Sequence, residues 1–294
     1  MPNVQLHPYS KPAMWRKMAV VNWRHPTDPQ IYARMEVDMT KALEYARQLS
    51  ERRGISITTT HILLRATALC LKEYPEANAI VRWNRIYVRK RINVFCHVAI
   101  PGKKPDLSGV LVRDADTKDL VAIAQELKEK VTAIRRGTDP ELARTKALLD
   151  RIPSFLYRLV LRVIDFLQYT LNLDLSRLGI PPDPFGGAGV TSIGSLGMSE
   201  AFAPLSPITR MPIVLSVGKV EEKPVARDGN VVIRPVCVLC ATLDHRIMDG
   251  YLAAKLAKFV TRYLADPERY ESEKGDADVL PHISNWCNNP GGNH

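Results

Sequence analysis

The sequence predicts one α/β domain in which helices and strands mix along the whole chain. Three observations predict it. Apolar residues recur with the period of a strand in some segments and of a helix in others, from Ile31 to Tyr263. The 294 residues are 46% hydrophobic and 24% charged, the balance of a folded globular protein rather than a disordered one. No internal repeat and no long Gly-, Ser- or Pro-rich linker divides the chain, so a single domain is read over 1–294, although the length alone allows two.

Taken in order, IYARMEVDM alternates as a strand. Thr40 is then read as the cap of a helix with Leu43, Ala46 and Leu49 on one stripe, ending at Gly54. Ser56 to Tyr74 is apolar nearly all round, which predicts a helix buried on most sides and stopped by Pro75. AIVRWNRIYV and RINVFCHVAI read as strands, with turns at Asn84-Arg85 and Arg89-Lys90-Arg91. After the strand GVLVRDAD, Asp116 or Thr117 is expected to cap a helix carrying Leu120, Ala124, Leu127, Val131 and Ile134 and closing at Gly137.

Asp139-Pro140 opens two further helical patterns separated by Pro153. In the second, Phe155 to Leu175, apolar residues wrap most of the circumference and leave a narrow polar stripe of Ser154, Arg158, Arg162, Asp165 and Gln168. Two arginines and an aspartate in mid-segment argue against spanning a bilayer. Packing against the body or a sister subunit is the plain expectation, and lying on a membrane surface is the alternative. IPPDPFGGAG reads as a loop, GVTSI, MPIVLSVGKV and VVIRPVCVLCATL as strands with a hairpin turn at Asp228-Gly229-Asn230, and the stretch after Gly250 as a helix with Leu252, Leu256, Phe259 and Tyr263 on one face. The tail from 271 to 294 reads as an extended arm.

Lys plus Arg number 41 against 31 Asp plus Glu, a net charge of +10, which favours anionic partners without choosing among them. The basic run Arg82, Arg85, Arg89, Lys90 and Arg91 reads first as a solvated hairpin, with phosphate contact as the alternative. With no secretory leader and no long uncharged apolar run, a cytoplasmic protein is expected. Its five cysteines, Cys70, Cys96, Cys237, Cys240 and Cys287, are then expected to be free thiols. Cys237 and Cys240 lie three apart on a strand, facing opposite sides, so no metal site is expected there. His61 and His97 have no acidic or cysteine neighbour and read as packing or hydrogen-bonding histidines.

The densest cluster of ionisable residues is Asp244-His245-Arg246-Ile247-Met248-Asp249-Gly250, where a buried strand gives way to a helix. A histidine there can be held in one tautomer by a carbonyl or carboxylate, and Asp244 or Asp249 can pair with Arg246 to stiffen the turn. The plain alternative is a turn stapled by a salt bridge, with His245 filling a gap.

LDHRIMDGYLAAKLAKFVTRYLADP resembles the DHRxxDG segment and last helix of the dihydrolipoyl acyltransferase catalytic core of 2-oxo acid dehydrogenase complexes. EVDMTKALEYARQL, ITTTHILLRATALCLKEYPEANAIV, LVRDADTKDLVAIAQELKEKV and TSIGSLGMSEAFAPLSPITRMPIVLSVGKV resemble other segments of that core, in order, over about 30–135 and 186–267. The related chloramphenicol acetyltransferases usually read His-His where this chain has Asp244-His245, which favours the dehydrogenase branch. The resemblance implies a chloramphenicol acetyltransferase-like mixed sheet covered by helices, assembled as a homotrimer or a multiple of three, with sites between subunits. It implies coenzyme A as acyl carrier, a dihydrolipoyl-like thiol as acceptor, and His245 as general base, with Asp249 orienting the turn. Asp244, Arg246 and Gly250 would be structural parts of the site.

The chain departs from the family in three places. Alignment on Leu196-Gly197-Met198 puts Gly194 where the family has a hydroxyl that binds the oxyanion, leaving Ser192, Ser195 or the Gly194 N–H as candidates, or else a core impaired in catalysis and kept as an oligomeric scaffold. No lipoyl domain precedes the core, so a core standing alone is expected, with any lipoyl group on a separate partner protein. A helical insertion is read over about 138–182. Nucleic acid is not expected as a partner, and membrane attachment is disfavoured.

Overall fold

The computed structural model describes residues 28–100, 106–138, 153 and 156–272. The helix start at Asp139-Pro140, Cys287 and the tail beyond 272 lie outside the described residues. A six-stranded sheet forms the frame, in the order β1 (Gln30–Asp38), β8 (Asn230–Asp244), β7 (Ile213–Arg227), β6 (Ala188–Ser192), β4 (Val94–Ile100), β5 (Asp106–Val112). β6 runs parallel to both β4 and β7, and the other pairs are antiparallel, so the sheet is mixed as expected. β2 (Ala79–Arg82) and β3 (Arg85–Val88) form a separate antiparallel hairpin.

Helices α1 (Thr40–Arg53), α2 (Thr59–Glu73), α3 (Leu120–Arg136) and α5 (Gly250–Ala265) join the sheet in one apolar core. α2 is central to it. Leu63, Leu64, Ala66, Ala68 and Leu71 on α2 are buried, as its all-round apolar pattern requires, and it packs on α3, α5 and strands β4, β6 and β7. Gly54 and Gly137 end α1 and α3 in the left-handed conformation that closes a helix (φ 66° and 71°).

Several local expectations are corrected. Thr40 is the first helical residue of α1 rather than its cap, and its N–H and hydroxyl both donate to Asp38 Oδ1, at 2.9 and 2.5 Å. α3 is capped by Asp119, whose carboxylate accepts the Ala122 N–H at 2.7 Å, because Ala115–Thr117 forms a separate 3-10 turn that displaces the start past Asp116 and Thr117. The hairpin turn sits at Trp83-Asn84, one residue earlier than read, with both residues at positive φ. Glu271, read as the start of the arm, ends a short helix α6 (Pro267–Glu271) and is buried, accepting hydrogen bonds from Arg65 Nε and Tyr263 Oη at 2.9 Å each.

The largest correction falls on the segment 155–175. Its described helix is α4 (Tyr157–Asp165), continued by one π turn over Phe166–Thr170. The polar stripe faces inward at its C-terminal end: Gln168 is 7% exposed and donates to Pro181 O at 2.7 Å, while Asp165 is bound by Arg210. Apolar Leu159 (60% exposed), Val163 and Phe166 (both 46%) face outward. A wide apolar wrap says nothing about which part of the circumference meets the body, and here specific polar contacts decide it.

Candidate active site

The turn after β8 is held from several sides. Asp244 N–H donates to Pro212 O (2.9 Å) and His245 N–H to Pro29 O (2.8 Å), tying the strand end to two neighbouring segments. Asp244 is buried, and its carboxylate accepts from Arg246 Nε and Nη2 at 2.9 and 2.6 Å and from the Arg246 N–H at 3.0 Å. That fork keeps the Arg246 guanidinium firmly charged, and its pKa is raised by the bond to Asp244. Ile247 and Met248 N–H both return to Asp244 O, and the Met248 side chain is fully buried, anchoring the far side of the turn.

The geometry sets the histidine. His245 Nδ1 lies 2.8 Å from Met248 O; a carbonyl only accepts, so Nδ1 donates there, and in the neutral ring the lone pair falls to Nε2. The residue itself is exposed. Asp249 is the N-cap of α5, accepting the Leu252 N–H at 2.8 Å, so it fixes where the helix begins. Gly250 is the first residue of α5, and a Cβ there would meet open space, so no steric demand for glycine exists at that position. The sequence pointed to a carboxylate or carbonyl partner for His245 without naming it; Met248 O has no side-chain signature, and only the turn reveals it.

The other candidates sit at the end of β6. Ser192 is its last residue, and Gly194–Leu196 form a 3-10 turn. Ser195 Oγ donates to Ser192 O at 2.7 Å, which commits that hydroxyl proton locally. A Cβ built on Gly194 would lie 2.6 Å from Gly218 O and 2.7 Å from Lys219 N, both backbone atoms of the bulge in β7 between Val217 and Val220. Glycine at 194 is thus a packing requirement of this turn, as is Gly218, whose Cβ would fall 2.0 Å from Ser199 O.

One chain does not bring the two clusters together. Ser192 pairs with Val217, and Val217 with Leu239, whereas β8 runs on to Asp244 and His245 follows in the turn, six residues past Leu239. At ~3.4 Å per residue this is roughly 20 Å along the strand direction.

A cleft of about 500 Å³ adjoins the His245 turn, lined by Asp244, Arg246 and Ile247, by Leu161 and Arg162 of α4, and by Arg210 among others. Arg210 Nε donates to Asp165 Oδ1 at 2.7 Å, and that carboxylate raises the Arg210 pKa. His245 is not among the lining residues, in keeping with its place between two residues that face the cleft. The Arg210–Asp165 pair was not foreseen, because its members are 45 residues apart.

Elsewhere, Cys70, Cys96, Cys237 and Cys240 are free, as expected for those four, and all are buried. Burial pushes the Cys237 thiol up to about 11, and Cys237 Sγ donates to Gly218 O at 3.3 Å. Among the described residues no group of His, Cys, Asp and Glu could hold a metal ion. His61 serves in the cap of α2, its Nδ1 accepting the Thr58 N–H at 3.1 Å, and burial lowers its pKa to about 4. His97 packs edge-on against Phe95, and burial lowers its pKa too.

Comparison with known proteins gives a consistent picture. The profile of the 2-oxoacid dehydrogenases acyltransferase (catalytic domain) matches residues 13–141 and 185–271. The dihydrolipoyllysine-residue acetyltransferase component of the Bacillus subtilis pyruvate dehydrogenase complex is 25% identical over 257 residues, covering 85% of this chain and 48% of that protein. The lipoamide acyltransferase component of the branched-chain alpha-keto acid dehydrogenase complex of the same organism is 24% identical, covering 80% and 46%. The chain therefore spans about half the length of the curated relatives it matches. Among solved structures, a probable dihydrolipoamide acetyltransferase from Listeria monocytogenes superposes with TM-score 0.61 at 22% identity, covering 92% of this chain and 97% of that one. The cubic core of a pyruvate dehydrogenase multienzyme complex superposes with TM-score 0.60 at 19% identity, covering 92% and 99%.

Proposed function

The chain belongs to the 2-oxoacid dehydrogenase acyltransferase catalytic-domain family, an enzyme family, and from that premise we propose that it moves an acyl group between coenzyme A and a dihydrolipoyl-like thiol with His245 as general base. The observation that carries the reading is the Nδ1 contact to Met248 O, which leaves Nε2 as the free base on an exposed ring. In the proposed reaction Nε2 takes the proton of the attacking thiol, and the sulfur adds to the thioester carbonyl. The tetrahedral intermediate collapses, the C–S bond to the departing thiol breaks, and the proton returns from Nε2 to that thiolate. An ordinary thiol near pKa 8.5 and an imidazole near 6.5 are matched closely enough for this exchange.

Asp244 acts in this scheme through Arg246 and the turn, and Asp249 through the start of α5. For the oxyanion we assign Ser192 in preference to Ser195, whose proton is held by Ser192 O. Because some 20 Å separates Ser192 from His245 along one chain, the complete site requires the serine of a second subunit, hence a trimer or a multiple of three. A lipoyl group would come from a partner chain. The crowding at Gly194 favours a second reading, an impaired core retained as a scaffold.

The test is acyl exchange between acetyl-CoA and dihydrolipoamide. The wild type should catalyse it, and His245→Ala should lower the rate about 10²–10⁴-fold with coenzyme A binding retained. A wild type that binds coenzyme A, transfers nothing, and is indistinguishable from His245→Ala leaves the scaffold.

A further inference from the structure

Exposed apolar side chains converge where α4 meets the β2–β3 hairpin. Leu159, Val163 and Phe166 form the outward stripe of the helix, and Trp83 at the hairpin turn, 59% exposed, stands edge-on to Phe166 with ring centroids 6.4 Å apart. On β3, Tyr87 is exposed on the face that carries Arg82 and Arg85, and Ile86 and Val88 are exposed on the opposite face. A contiguous apolar face of this kind is uncommon on a protein surface that meets only water. It is also rigidly aimed. Arg82 Nε donates to Thr170 O at 2.6 Å, locking hairpin to helix end, while Gln168 and Asp165 hold the opposite side of the helix to the body.

Charge selects the occupant. Arg85 and Arg162 are exposed beside the apolar residues, and neither has a described ion pair. Asp165 is the only carboxylate on α4 and its π turn, and it faces inward to Arg210; between Ala77 and Pro105 the chain has no acidic residue at all. An exposed face of arginines and apolar side chains with no outward carboxylate among its described residues carries net positive charge and complements an anionic surface. A surface of anionic headgroups over hydrocarbon matches both features, with apolar and aromatic side chains entering the interface and arginines meeting lipid phosphates. No described helix is long and apolar enough to cross a membrane, so contact is from one side.

We propose that α4 and the β2–β3 hairpin form a peripheral docking face for anionic phospholipid bilayers. α4 lies in 142–184, which the family profile leaves unmatched, whereas the β2–β3 hairpin lies within the matched 13–141, so the helix half of the face is added to a hairpin within the matched region.

Co-sedimentation of the full chain with vesicles of phosphatidylcholine, alone or mixed equally with phosphatidylglycerol, tests this. Binding should favour the mixed vesicles and fall with added salt. It should drop about tenfold or more in Val163→Glu/Phe166→Glu, and about fivefold for each of Arg85→Gln and Arg162→Gln. These positions are exposed, and circular dichroism of each variant confirms that the fold is kept. Tryptophan emission should shift to the blue with mixed vesicles, and the shift should disappear in Trp83→Phe. Equal affinity for neutral and mixed vesicles, or undiminished binding by the double glutamate variant, overturns the proposal. So does a wild type that ignores vesicles while the double variant loses oligomer mass by light scattering, since a second copy then covers the face.

Discussion

Replacing Gly194 with serine restores the family's hydroxyl in composition only, because the turn has no room for it. The new Cβ would approach Gly218 O to 2.6 Å, where ordinary contact begins at 3.4 Å, a shortfall of 3.4 − 2.6 = 0.8 Å against the backbone. A second backbone atom, Lys219 N, closes the other side at 2.7 Å, and the bulge it belongs to is pinned by its N–H bond to Met198 O at 3.0 Å. No rotamer relieves a clash of Cβ itself, so either the 194–196 turn or the bulge must move. Overpacking of this kind costs about 1–3 kcal/mol, which lowers the melting temperature by roughly 2–4 °C for each kcal/mol in a protein of this size. Thermal unfolding at one fixed protein concentration should therefore show Gly194→Ser melting about 5 °C below wild type, and acyl exchange should not rise. A variant as stable as wild type with a faster exchange rate would refute both the steric argument and the assignment of the oxyanion donor to Ser192.

Ser192→Ala should lower acyl exchange about 10²–10³-fold, whereas Ser195→Ala should change it only a few-fold; the reverse order would move the donor to Ser195. His61 must stay neutral for Nδ1 to accept the Thr58 N–H, so its folded pKa lies below the ordinary 6.5. The stability it contributes is complete above pH 6.5 and is lost as pH falls through 6.5 toward about 4, at most about 3 kcal/mol. Denaturant melts of wild type and His61→Gln at pH 8 and pH 5 should differ by that pH-dependent part. Glu271→Ala leaves the buried Arg65 guanidinium without its carboxylate and should cost about 3–5 kcal/mol, and adding Arg65→Met should recover part of the loss in the same melts. Light scattering on a sizing column should give a trimer or a multiple of it, and a stable 33 kDa monomer at micromolar concentration would remove the second-subunit site.

The strands and the buried helices were legible in the sequence because their periodicity answers to burial, which acts residue by residue. α2 and α5 follow their apolar stripes closely, and the Asp228-Gly229 hairpin turn and the Gly54 and Gly137 closures depend on backbone angles that few residues adopt. The Asp244–Arg246 pair was among those foreseen for the same reason, since two residues apart is a local relation. Helix starts were less legible: Asp38, not Thr40, receives the first donors of α1, and Asp119 displaces Asp116 and Thr117, because several polar residues in a row offer themselves and the path of the backbone selects one.

What only the tertiary structure decided are relations between distant segments. Met248 O holds the histidine ring through a backbone atom that carries no residue identity. Gly194 reads in sequence as a missing hydroxyl and in space as the one residue that fits under the β7 bulge, because the backbone it would strike comes from 24 residues further along. The outward turn of Leu159, Val163 and Phe166 was likewise invisible: an apolar wrap is nearly symmetric about the helix axis, and the partners that break the symmetry, Arg210 for Asp165 and Pro181 O for Gln168, are reached only after the chain has folded back. Periodicity reports how much of a segment is apolar and with what spacing, but the direction that surface faces is set by contacts between residues far apart in the chain.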